Sequence, residues 1–301
     1  MSAIEEQHVS GTGVVVVTGA TGRQGRAVSR ALLAAGWPVR AMTRHPGRSV
    51  ARALADAGAQ LVVADMEDPA SLDRAFAGAY AVYSVQNYMT SGLDGEVRQG
   101  RNVGDAALRA GVRHLVQGSA GTGERGTGVG SFESKVDIED HLAELGLPVT
   151  VLRPTAFMEL MTDRAFFPPA GMWHVWPKLD GWGQRVPWLA CHDLGRIAER
   201  VFAEPERFIG QQLKLAADVR SLEECRQIYT RVLGRAPRRF PMPVRLFERF
   251  APDAAALWRW LRTARLDVDP ALTRSILPDP LTVGTWLRHE FTGHRHRGAR
   301  K

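Results

Sequence analysis

Four successive valines, Val14-Val15-Val16-Val17, leave no polar side, as expected of a parallel strand covered by helices on both faces. An apolar rhythm of helical period follows over Arg23–Ala35. Short apolar runs recur at Val39–Met42, Gln60–Ala64, Tyr80–Val85, His114–Gln117 and Val149–Leu152. Between them the pattern predicts helices at Arg48–Ala57, from Pro69, at Asp94–Ala110 and from Ser131 to Leu145. Strands alternating with helices define the α/β class, here a doubly wound parallel sheet. Gly100 and Gly104, four apart on one helical face, predict close packing on that sheet. Beyond Met158 the rhythm breaks. Pro168–Pro187 is rich in turn residues and tryptophan, and later apolar periods fall at Gln212–Leu215, Ser221–Leu233, Val244–Arg262 and Val283–Glu290. These predict a smaller C-terminal substrate lobe. The expected organisation is a disordered tail over 1–12, a nucleotide-binding domain over 13–156, a substrate or partner lobe over 157–292 and a basic tail over 293–301.

The glycines add chemistry to that pattern. Gly19, Gly22 and Gly25 fall between the first strand and its helix. Glycine serves where backbone must turn tightly, approach a pyrophosphate and let helix lie close on strand. Unpaired N–H groups at the helix start favour an anion. The loop residues Gly19, Thr21, Gly22, Arg23, Gln24 and Gly25 are therefore expected to hold a dinucleotide in a Rossmann fold. The second strand ends at Thr43-Arg44-His45-Pro46-Gly47-Arg48, with no Asp or Glu between Val39 and Ala55. An acidic residue at this point accepts from the 2′-hydroxyl of NAD, whereas arginine accommodates the 2′-phosphate of NADP. Arg44 and Arg48 thus predict NADP(H). An ordinary surface arginine is the alternative, weighing more for Arg48 than for Arg44, because the chain has 39 Lys and Arg and only four are lysines, Lys135, Lys178, Lys214 and Lys301.

At 301 residues, 45% hydrophobic and 24% charged, the chain has the make-up of one large or two intimate globular domains. No apolar run is long enough to span a bilayer, and residues 1–12 lack a basic-then-apolar signal. No membrane partner is expected, and the protein reads as cytoplasmic. Two cysteines, Cys191 and Cys225, suit neither a disulfide framework nor a metal cage. His174 and His192 lack spaced carboxylates or cysteines, so no metal is expected. The net charge of +7 is spread along the chain, and only His294–Lys301 forms a run. This is read as a solvated terminus, not as a nucleic-acid site.

The glycine spacing, G-x-x-G-x-x-G within TGATGRQG, resembles the opening of the NmrA-like family, atypical short-chain dehydrogenase/reductases, and in particular its HSCARG-like subgroup. TRHPGR, YSVQNY and LRPTAFME are similar to further family segments, in detail over residues 13–160 and loosely beyond. The resemblance implies that Asp65 and Met66 lie beside the adenine. It brings Gln86 and Asn87, with Tyr88 after them, along the pyrophosphate and nicotinamide ribose. It sets Pro154 and Phe157 against the nicotinamide. Asp68 is independently a candidate helix cap with Pro69 behind it.

The superfamily's catalytic pair is Tyr-x-x-x-Lys, but here Ser131 stands four before Lys135. The usual general acid for carbonyl reduction is missing, and an unaided serine does not replace it. Lys135 shares a helical stripe with Ile138, Leu142 and Leu145, so it is expected to point inward. The resemblance supplies the nicotinamide ribose as its partner, and snorkelling at the helix edge is the alternative. Ser119 is either a substrate-polarising serine or a turn hydroxyl. Gly121–Gly130, with five glycines, reads as a mobile lid. Trp173 and Trp176, with Tyr88 and Phe157, are candidate substrate contacts, and the tryptophans are equally candidate core. Two functions follow. One is an NADPH-dependent reductase or isomerase of an apolar or aromatic small molecule. The other is a non-catalytic NADP(H) sensor acting through a regulatory partner. A homodimer stays open in both.

Overall fold

The computed structural model describes residues 13–163, 171–239, 241–264, 266 and 268–298. In chain order the first part reads β1 (Val15–Val17), α1 (Arg23–Ala34), β2 (Val39–Thr43), α2 (Ser49–Ala55), β3 (Gln60–Val63), α3 (Pro69–Phe76), β4 (Ala81–Ser84), α4 (Tyr88–Arg109), β5 (His114–Gly118), α5 (Gly130–Glu144) and β6 (Val149–Pro154). The remainder is β7 (Ala156–Phe157), α6 (Trp176–Leu179), β8 (Arg185–Leu189), α7 (Cys191–Ala203), α8 (Pro205–Phe208), β9 (Gln212–Leu215), β10 (Asp218–Ser221), α9 (Leu222–Leu233), α10 (Val244–Phe250), α11 (Pro252–Thr263), α12 (Pro270–Ile276) and α13 (Val283–Gly298). The predicted tail over 1–12 lies outside the described residues. The backbone of α13 continues to Gly298, past the predicted end at Glu290.

Seven strands form one sheet in the order β3-β2-β1-β4-β5-β6-β9. The pairings of β1 with β2 and β4, of β2 with β3 and of β4 with β5 are all parallel. The order reverses beside β1, which creates the switch point where such sheets take nucleotides. The fold is a doubly wound, Rossmann-like α/β fold, as the alternation of strands and helices predicts.

Two compact units divide the chain, and they interleave along it. The first comprises the described residues up to Gly118, then Ile138–Val151 and Leu194–Gln212. The three valines of β1 are fully buried. One core cluster joins Val16, Leu72, Phe76, Val82, Val103, Leu115, Ile138 and Leu142. Trp37 stacks on Tyr80 at 6.3 Å and also meets Phe202, which His114 contacts edge-on. Thr150 donates its hydroxyl to the Phe208 carbonyl at 2.7 Å, so it accepts from His114 Nε2 at 2.8 Å. That bond fixes the Nε2–H tautomer. Burial pushes the His114 pKa down to about 4, and the ring stays neutral.

Gly100 and Gly104 do approach a neighbour closely, but not the one expected. A Cβ at Gly100 would lie 2.5 Å from Ile138, and one at Gly104 2.6 Å from Leu142. The glycine face of α4 therefore fits α5 instead of the sheet. Helix α4 itself contains Gly92 at φ 74°, ψ 169°, which separates a short first turn from the long helix the pattern predicts.

The second unit takes Ser119–Asp137, Leu152–Asp193 and the chain from Leu213. It holds a three-stranded sheet, β10-β8-β7, with β10 antiparallel and β7 parallel to β8. Tryptophans fill its centre. Trp176 stacks on Trp258 at 5.2 Å, and Trp258 on Phe247 at 5.0 Å. The indole N–H groups of Trp173, Trp176 and Trp188 donate to Met161 O, Asp180 Oδ2 and Arg220 O. Among the described residues no helix is long and apolar enough to cross a membrane.

Candidate functional site

In the first unit the predicted nucleotide residues gather where β1, β2 and β4 end. Gly19 has φ 55°, a backbone conformation that glycine tolerates best, and its carbonyl accepts from the Gly22 amide at 2.8 Å. A Cβ on Gly25 would stand 2.4 Å from that same carbonyl oxygen, which as backbone cannot give way. Gly25 is thus required for α1 to lie against the turn. Gly22 is the N-cap of α1 and carries no side-chain cap, and the first turn has no acidic residue. The exposed helix start can accept an anion. Thr18, the first residue of TGATGRQG, ties the neighbouring strand ends together. Its Oγ1 accepts from the Val85 amide at 2.8 Å and donates to the Val85 carbonyl. Tyr83 donates to Gln24 Oε1 at 3.4 Å, a long bond that links β4 to the glycine loop.

Arg44 and Arg48 are both exposed at the end of β2. The local sequence has no carboxylate, yet the fold brings one. Asp65 Oδ2 lies 3.8 Å from Arg44 Nη1, with the two side chains 39% and 60% exposed. An ion pair this open is worth little, so Arg44 keeps its capacity to take another anion. Asp65 Oδ1 also accepts from the Glu67 amide. Met66 is partly buried against the core cluster, and its carbonyl accepts from Asn102. Asp68 caps α3 through the Ala70 amide, with Pro69 behind it, as its spacing predicts.

The turn after β4 is organised inward. Gln86 is buried, its Nε2 donating to Ser84 Oγ at 2.8 Å and its Oε1 accepting from Gln117 Nε2 at 3.1 Å. Asn87 caps the first turn of α4 through the Met89 amide. The Tyr88 amide donates to Glu96 Oε1, a carboxylate 1% exposed.

The second unit holds the other predicted residues. Lys135 is 6% exposed and points inward, as the helical stripe predicts; Ser131 and Ser134 are buried beside it in sequence. Ser119 is buried, and its amide donates to Leu152 O at 2.8 Å. Pro154 closes β6, while Phe157 lies in β7 opposite Leu189. Trp173 and Trp176, 1% and 2% exposed, are core. That is the second of their two expected roles, and it leaves almost no surface to present to a substrate. Residues of Gly121–Gly130 bond to α5. Glu133 Oε1 accepts from the Thr127 amide and hydroxyl, which holds its carboxyl below the usual range, and Arg125 pairs with Asp137 at 2.8 Å.

Glu159 closes the LRPTAFME segment. Its Oε1 accepts from the Cys191 amide at the start of α7, and burial pushes its pKa up to about 7. Burial likewise raises Asp180 to about 6, and it raises the Cys225 thiol. Among the described residues no group of three His, Cys, Asp or Glu side chains could hold a metal.

A switch-point glycine turn on a parallel sheet defines a Rossmann-like protein. The chain belongs to the NmrA-like family, which it matches over residues 11–258. It is 30% identical to the NmrA-like family domain-containing oxidoreductase FrzB of Cladobotryum sp. over 257 residues, 77% of this chain and 76% of FrzB. Among solved structures it resembles the triphenylmethane reductase of Citrobacter sp. complexed with NADP(H), with TM-score 0.73 and 20% identity over 92% of this chain and 99% of that one. It also resembles NmrA, a negative transcriptional regulator, in complex with NADP. There the TM-score is 0.72 and the identity 19%, over 95% of this chain and 97% of that one. A further NmrA structure contains NAD.

Proposed function

We propose that this chain is an NADP(H)-dependent reductase of an apolar or aromatic small molecule. The observation that carries the reading is the uncapped start of α1 beneath the Gly19–Gly25 turn, with Arg44 exposed at the end of β2. The residues present fit the dinucleotide. The turn offers backbone without Cβ atoms at Gly19, Gly22 and Gly25 to a pyrophosphate, and Arg44, with Arg48 four residues on, offers charged donors to a 2′-phosphate. When bound, NADPH supplies a hydride. The chain's own tasks are then to orient and to stabilise charge. Lys135 holds the nicotinamide ribose hydroxyls, and its ammonium favours negative charge developing on the acceptor. Ser119 donates to the acceptor's polar atom. Without a tyrosine at position 131 the final proton comes from solvent. The oxidoreductases of the family and the NADP(H)-complexed reductase of the same fold support this reading.

Ser131 in the tyrosine position specifically favours a second reading, a sensor that binds NADP(H) without turnover and reports to a partner. NmrA, a regulator of the same fold, supports it. The test is NADPH oxidation against quinones, aldehydes and aromatic ketones, comparing wild type with Lys135→Met. A reductase turns over at least one acceptor, and Lys135→Met lowers kcat about a hundredfold or more at saturating cofactor. No oxidation by wild type with cofactor demonstrably bound overturns the enzyme in favour of the sensor.

A further inference from the structure

The helix that carries Lys135 is held from far along the chain. The amides of Phe132 and Glu133 both find the Val129 carbonyl, at 2.9 and 3.1 Å. The Ser131 amide, one of the orphan donors of a helix start, instead donates to Asp253 Oδ1 at 2.9 Å, 122 residues away. Asp253 lies in the first turn of α11, directly after Pro252. The same two helices meet a second time, where Phe132 packs edge-on to Trp260 at 5.6 Å and 87°. Asp253 Oδ2 is buried and has no hydrogen-bond partner among the described residues. One carboxylate oxygen is thus buried and the other makes this bond, which ends one turn before Lys135. A carboxylate at a helix start is favoured by the helix dipole as well as by the hydrogen bond.

We infer that Asp253 is a positioning residue: from α11 it caps the helix bearing Lys135 and fixes the register in which Lys135 meets the cofactor. This rests on the reading of Lys135 as the ribose-holding residue. A cap of this kind acts only on the nicotinamide end. Binding of adenosine 2′,5′-bisphosphate, which needs the glycine turn and Arg44 but no ribose-holding lysine, is independent of it.

The test uses the full chain as wild type, Asp253→Ala, Asp253→Asn, Ser131→Pro and Lys135→Met. Amide hydrogen exchange is followed at residues 130–136, and affinities are measured for NADPH and for adenosine 2′,5′-bisphosphate. Asp253→Ala is expected to speed exchange in the first turn of α5 at least tenfold. It should weaken NADPH about fivefold or more and leave the bisphosphate within twofold of wild type. Asp253→Asn keeps an acceptor oxygen and should restore both readouts to within about threefold. Ser131→Pro removes the donor from the other side, at a helix start where proline is tolerated. It should reproduce the loss of NADPH affinity, and it decides the matter if Asp253→Ala does not fold.

Wild-type exchange in Asp253→Ala overturns the proposal. So does faster exchange with unchanged NADPH affinity, which is a cap without a positioning role, or an equal loss of both ligands, which is general damage. If Lys135→Met binds NADPH like wild type, the Lys135 reading falls and takes the proposal with it. If Lys135→Met is impaired and Asp253→Ala is not, the proposal falls alone.

Discussion

Glu159 carries an ionisable group where water barely reaches. One carboxylate oxygen accepts from the Cys191 amide and the other is buried without a partner among the described residues. Desolvation is the main cause of its rise from 4.5 to about 7, and the charge of Glu290 adds to it. The folded state thus holds its proton more tightly than the unfolded chain. The stabilisation is fully present below pH 4.5 and is lost as pH rises through about 7. A shift of this size corresponds to about 3 kcal/mol. Glu159→Gln keeps the acceptor for Cys191 and removes the titration. Urea unfolding should find Gln and wild type differing little at pH 5, with Gln gaining by up to about 3 kcal/mol at pH 8. A pH-independent difference would contradict this cause. His114, low at about 4, pulls the other way, but it is present in both proteins and cancels in the comparison. At this scale the sequence shows residues and conceals partners. Arg44 is legible from its place after a strand, whereas the Asp65 carboxylate 3.8 Å away comes from the end of the next strand. Asp253 is separated from Ser131 by 122 positions, and no local spacing relates them.

Elements are the most legible scale, because periodicity is local. The parallel strands β1 to β6 and the helices between them fall within a few residues of their predicted ranges, since buried parallel strands are continuous apolar runs. The small sheet β10-β8-β7 has no counterpart in the apolar pattern. β7 has two residues and β8 contains Pro187, which works against a strand assignment. The Gly100 and Gly104 face announces a close approach but not its target. With Ile138 only 2.5 Å from where a Cβ would stand, Gly100→Val overpacks the α4–α5 contact and should cost about 1–3 kcal/mol. Ile138→Ala alone is destabilising through its cavity. Combined with Gly100→Val it should cost less than the sum of the two, as measured by a double-mutant cycle in urea. Strict additivity would show that the two positions do not share that space.

On the scale of the whole molecule, family membership and fold narrow the activity without choosing it. The NmrA-like family spans oxidoreductases by name, and the same fold serves a transcriptional regulator found with NADP and with NAD. Fold does not decide function; the site does. The tryptophan-rich segment shows how composition can mislead here, because Trp173 and Trp176 read equally as a substrate wall or a core until their burial is known. What the chain itself offers is the uncapped α1 start and Arg44. Their shared consequence is cofactor choice, on which both the reductase and the sensor depend. Calorimetric titration of NADPH and NADH into wild type and Arg44→Ala tests it most directly. Each charged hydrogen bond to the 2′-phosphate is worth about 1.5–3 kcal/mol. Wild type should therefore bind NADPH at least about tenfold more tightly than NADH, and Arg44→Ala should lose most of that preference while keeping its affinity for NADH. Equal affinities of wild type for the two cofactors would contradict the account at its centre.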